Sequence, residues 1–153
     1  MDTYITVRDV LEKARRFHQQ LEAFYNRLSE ESDRERLRLL LDYMCRHEEH
    51  FMVGLEQFDD QGRDRLLDTW LQYGPDEQPP ELPPVCEIAD DMRLDDIQAV
   101  ALQFDDALAR LYDDAARLVQ NDEVRELFRN LAEQHEADKA KIRKNVEAAK
   151  RDM

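Results

Sequence analysis

Four stretches of this chain repeat their apolar residues three and four positions apart, and no other feature constrains its fold as strongly. In the first, Leu11, Ala14, His18, Leu21, Tyr25 and Leu28 form one stripe. The second stripe is Leu37, Leu40, Met44, His47, Phe51 and Gly54, with His50 one turn beyond His47. The third is Ala101, Asp105, Leu108, Tyr112 and Ala115, and the fourth Val124, Phe128, Leu131, His135, Asp138 and Ile142. Residues so spaced share one face of an α-helix. The pattern predicts helices over 7–30, 33–58, 94–119 and 122–148.

Local signals agree with these bounds. Thr6 with Asp9, and Ser32 with Glu35, match the arrangement in which a hydroxyl and an acid three residues on satisfy the free amides of a helix start. All 5 prolines fall in the segment GPDEQPPELPPVCEIADDM, which lacks donors and is expected to run extended. Just before it, residues 59–73 predict a short helix whose Leu66, Leu67, Trp70 and Leu71 close one end of a bundle. With only 3 glycines and a composition rich in Leu, Ala, Glu and Arg, strands are disfavoured. The expectation is an all-α four-helix bundle, one domain over 1–153, built from two helix hairpins joined by a crossover at about 59–93.

The net charge of −14 argues against nucleic acid and anionic membrane surfaces as partners and favours cations. No apolar run reaches the length of a membrane span. The start, MDTYITVRDV, lacks a basic-then-apolar export signal, so the cytoplasm is the expected compartment. Cys45 and Cys86 form no CxxC pair; Cys45 is expected to be a buried thiol and Cys86 to sit in the Pro-rich segment.

The two hairpins also resemble each other. ARRFHQQLEAFY (14–25) lies over ALQFDDALARLY (101–112), setting His18 opposite Asp105 and Tyr25 opposite Tyr112. LLLDYMCRHEEH (39–50) is laid over helix four so that His47 falls opposite His135 and His50 opposite Asp138. Such a repeat implies pseudo-twofold symmetry, with these polar residues meeting on the axis.

An Ala-x3-acid-x6-Tyr helix followed by a Glu-x-x-His helix, twice over, is the pattern that this chain resembles, and it belongs to the rubrerythrin-like branch of the ferritin-like superfamily. The resemblance covers roughly residues 7–145 without the Pro-rich insert. It implies a ferritin-like bundle whose core holds two iron ions on carboxylates and Glu-x-x-His pairs. Carried over position by position, those slots are His18, His47, His50, Asp105, His135 and Asp138, with Tyr25 and Tyr112 beside them. Only His50 keeps the family residue, yet every slot holds a metal-capable side chain.

The implied centre is rich in histidine and poor in carboxylate. Such donors suit a transition ion, iron or zinc above all, rather than magnesium or calcium. Asp105 and Asp138 together balance one divalent ion, so one ion, or two with a bridging anion, is expected. Three roles remain open: a redox protein handling oxygen or peroxide, a non-redox metal-binding or metal-sensing protein, and a metal-free bundle serving as an interaction module. No catalytic residue is assigned, and the CxxC electron-donor module of rubrerythrins is absent. Apolar surface left by the insert predicts a homodimer.

Overall fold

The computed structural model describes residues 5–60, 64–83 and 94–152. Its elements in chain order are β1 (Ile5–Thr6), α1 (Val7–Glu31), α2 (Glu35–Asp60), α3 (Asp64–Leu67), β2 (Trp70–Leu71), α4 (Leu94–Leu118) and α5 (Asp122–Asp152). Cys86 and the second half of the Pro-rich segment lie outside the described residues. No helix among those described is long and apolar enough to cross a membrane.

The caps explain where the helices begin. The Thr6 hydroxyl accepts from the Asp9 amide at 3.3 Å, and the Asp9 carboxylate accepts from the Thr6 amide at 3.0 Å. Both orphan donors are thereby satisfied. At α5 the Asn121 side chain accepts from the Val124 amide at 3.0 Å. Ser32 departs from expectation. It closes α1 in extended backbone, and its hydroxyl accepts from the Arg34 amide at 3.3 Å. The hydroxyl is therefore spent on the turn between the helices, and α2 starts only at Glu35.

The short helix expected over 59–73 is also corrected. Only Asp64–Leu67 is helical; Trp70 and Leu71 pair antiparallel with Thr6 and Ile5. The Val7 amide donates to Thr69 and the Gln72 amide to Leu118, so this segment ties the start of α1 to the end of α4. Leu71 is fully buried, whereas Trp70 is 62% exposed and does not close the bundle.

Each hairpin packs closely within itself, α1 on α2 and α4 on α5, and the two hairpins meet through α1 against α4 and α2 against α5. A single constant offset superimposes one hairpin on the other. It carries Ala14 to Ala101, Phe17 to Phe104, Leu21 to Leu108, Tyr25 to Tyr112, Leu41 to Phe128 and Leu55 to Ile142, and every one of these is buried. Phe17 and Phe104 meet edge to face with centroids 6.5 Å apart, marking where the pseudo-twofold axis crosses the core. The same offset sets Glu48, not His47, opposite His135 and sets Phe51 opposite Asp138.

Candidate metal centre

Beside the Phe17–Phe104 contact, the seams turn polar on all four long helices. His18 on α1 and Asp105 on α4 follow directly after those phenylalanines, so each lies beside the axis. Their sequence partners stand thirty residues on. His18 Nδ1 is 2.7 Å from Glu48 Oε1, and His135 Nδ1 is 2.8 Å from Asp105 Oδ1. The two bonds are equivalent under the pseudo-twofold, with acid and base exchanged between hairpins. A third pair joins α2 to α5: His47 Nε2 donates to Asp138 Oδ1 at 2.6 Å.

Rings pack the pairs together. The His18 and His135 rings stack at 5.4 Å, and Phe51 lies against both, at 5.0 Å and 4.6 Å. Tyr112 stacks on His135 at 5.8 Å. His18, Glu48, Asp105, His135 and Asp138 are all buried, whereas the His47 side chain is 22% exposed at the rim.

Five of the six residues expected at the centre therefore come together. His50 does not: its side chain is exposed. The inward face of α2 runs Leu37, Leu41, Met44, Cys45, Glu48 and Leu55, and His50 falls off it. Glu48 takes the inward place instead. The residue type had drawn attention to the histidines, while one glutamate among 36 acidic residues stood out only through the repeat register.

Burial and charge sort the protons. Burial, and then the adjacent Asp138 carboxyl, push Asp105 up to about 10. Burial, and then the nearby His18, press His135 down to about 3. Both members of that pair are thus neutral at pH 7, as a dry site with little else to stabilise charge requires. His47 is raised, first by its hydrogen bond to Asp138. Burial works against ionising Asp138, yet the hydrogen bond to His47 holds it below the ordinary carboxylate range. The His47–Asp138 pair at the rim therefore favours charge, and the His135–Asp105 pair inside is neutral. Tyr25 is raised well above its ordinary value by burial and by the carboxylates of Glu48, Asp105 and Asp138.

At the centre, two buried polar atoms remain without partners. His18 Nε2 and Asp105 Oδ2 are fully buried and make no hydrogen bond, which is costly unless something satisfies them. A slot between α2 and α5, edged by Tyr43 and Lys141, leads in past His47 and Asp138 to Asp105. Its volume of about 20 Å³ is enough for one water-sized molecule. Among the described residues no three His, Cys, Asp or Glu side chains converge on one point, because each imidazole is closed onto a carboxylate.

No family model matches this chain, and no curated protein does. Among solved structures, a candidate ferritin-like diiron-carboxylate protein of Thermotoga maritima superimposes with a TM-score of 0.64 at 19% identity, covering 96% of this chain and 98% of its own. A hypothetical protein of Pyrococcus furiosus gives 0.54 at 18% identity, covering 95% and 90%. This chain has a ferritin-like fold.

The fold sets the standard against which the centre is tested. A di-iron ferritin-like core takes a Glu from each of two helices and a Glu-x-x-His pair from each of the other two. In this chain those places hold His18, Asp105, Glu48 with Phe51, and His135 with Asp138. Only Glu48 is a carboxylate at a bridging position, and the apolar Phe51 ring fills a histidine place. The two-iron arrangement does not fit these residues. Three imidazoles and three carboxyl groups instead form three closed pairs at this level.

Proposed function

We propose that this chain is a metal-binding protein holding one transition ion, iron or zinc, in a histidine-rich centre at mid-bundle. The observation that carries the reading is the state of His18 and Asp105. A neutral His18 that donates Nδ1–H to Glu48 carries a lone pair on Nε2, fixed in direction and out of water. A ligand imidazole is ordinarily oriented by a carboxylate on its other nitrogen in this way. Asp105 is held through Oδ1 by His135 and presents Oδ2. His18 and Asp105 would hold the ion, and Glu48 and His135 would orient them through the paired bonds. The tyrosine on each odd seam, Tyr25 and Tyr112, supports a place in the rubrerythrin-like branch.

When bound, the ion would supply Lewis acidity and, if iron, one-electron chemistry toward oxygen or peroxide. The chain's own part is to keep the site dry, to orient the imidazoles through carboxylates, and to admit only a small molecule through the slot. Metal analysis of untagged protein tests this: near one equivalent in the parent, and a loss of most of it in His18→Ala, is the expected result. No metal in the parent after growth with iron and zinc, together with no uptake on titration, would refute it.

A second reading has its own support. Because each of the three clustered imidazoles is already paired and no three ligands converge among the described residues, the cluster also works as a metal-free polar core that fixes the pairing of the hairpins. Under that reading His18→Ala lowers stability equally with and without added metal.

A further inference from the structure

The outer face of α2 carries a second seam that the bundle does not use. Leu39, Tyr43, Arg46, His50 and Val53 are spaced four, three, four and three residues apart, and all are exposed. Leu39 is 61% exposed, Tyr43 44% and Val53 50%, so three of the five large exposed hydrophobics among the described residues lie on this one stripe. Alternating steps of four and three are the spacing that two helices need to interlock along a seam. Arg46, Glu49 and His50 on or beside it make no hydrogen bond or ion pair among the described residues, although Arg46 and Glu49 stand one turn apart.

We propose that this stripe is the contact face for a second copy of the chain, with the two α2 helices packed antiparallel about a twofold axis between Arg46 and Glu49 or His50. The stripe is self-complementary in that direction and in no parallel one. Around such an axis Tyr43 faces Val53 of the other copy, and Arg46 faces His50 with Glu49 beside it, and the contact recurs on the other side. A parallel pairing would instead bring Arg46 against Arg46 in a like-charge contact. The dimer also bears on the centre. Tyr43 stacks on His47 at 6.2 Å with the rings nearly parallel and edges the slot between α2 and α5. A second helix over Tyr43 therefore covers the mouth through which water reaches the His47–Asp138 pair. The inference stands on the α2 face alone and does not depend on bound metal.

A single helix seam of this length is at the small end of stable interfaces, so dissociation on the order of 10 µM is expected. Sedimentation velocity on the full, metal-free chain between about 1 µM and 500 µM, with helix content followed in parallel, tests the proposal. The parent is expected to shift from monomer to dimer across that range. Arg46→Glu and Glu49→Arg should each weaken the dimer at least about tenfold, because each creates two like-charge contacts per dimer. The double variant should restore it, and Val53→Arg should abolish it without loss of helix. A parent monomeric throughout, a dimer that survives Val53→Arg, or a double variant no better than either single one would each overturn the proposal.

Discussion

Replacing Asp105 with Asn separates the two roles assigned to that residue. The Asp105 side chain is only 5% exposed and touches His135 through Oδ1 at 2.8 Å. With its acid pushed up to about 10, it is a neutral group at pH 7, and Asn is its nearest neutral isostere. The amide can keep the hydrogen bond to His135, so metal-free Asp105→Asn is expected to lie within about 1 kcal/mol of the parent in urea unfolding at pH 7. Asp105→Ala leaves the His135 nitrogen unsatisfied and should cost about 1–3 kcal/mol more. Metal binding responds oppositely: both variants lose an anionic ligand, and zinc affinity by calorimetry should fall at least about 100-fold. A metal-free Asn variant weaker by about 3 kcal/mol or more would mean that a buried charge pair had been broken. That result would refute the neutral pair. Zinc affinity equal to the parent's would refute Asp105 as a ligand.

Two further outcomes follow from burial alone. Tyr25 and Tyr112 are both fully buried and raised above the ordinary 10.0. Their folded-state values lie above the unfolded ones, so their contribution is complete below about pH 10 and is lost as pH rises beyond it. Tyrosinate absorbance should show these two appearing only together with loss of helix; their titration in a still-folded bundle would contradict the packing. Cys45, pushed up to about 12 by burial and hydrogen-bonded to Asn26 at 3.3 Å, should be inert to an aromatic disulfide at pH 8 in a Cys86→Ser variant, reacting only on unfolding. Rapid reaction of the native protein would place Cys45 at the surface.

How far the sequence could be read differed between backbone and site. The four long helices were legible because their seams repeat over six or seven turns and because Thr6 and Asn121 cap them by local chemistry. The β1–β2 pairing was not. Two-residue strands carry no periodicity of their own, and Thr6 meets Trp70 only through the folded chain. On α2 the register slipped by one residue. His47 and His50 lie three apart and look alike, but only the continuation of Tyr25–Tyr112 through Leu41–Phe128 fixes Glu48 opposite His135. An exchange of acid and base between repeats conceals itself from any reading that matches residue types. Side-chain pairing adds what spacing cannot: which nitrogen of each imidazole is taken, and which is left.

The central claim is that one ion binds between the unpartnered atoms of His18 and Asp105. Anomalous scattering from crystals of the zinc-loaded protein, measured on either side of the zinc absorption edge, tests it most directly. One peak is expected in each bundle core, about 2.0–2.2 Å from both His18 Nε2 and an Asp105 oxygen. Two peaks bridged by Glu48, or a peak only at exposed His50 with the core empty, would contradict it.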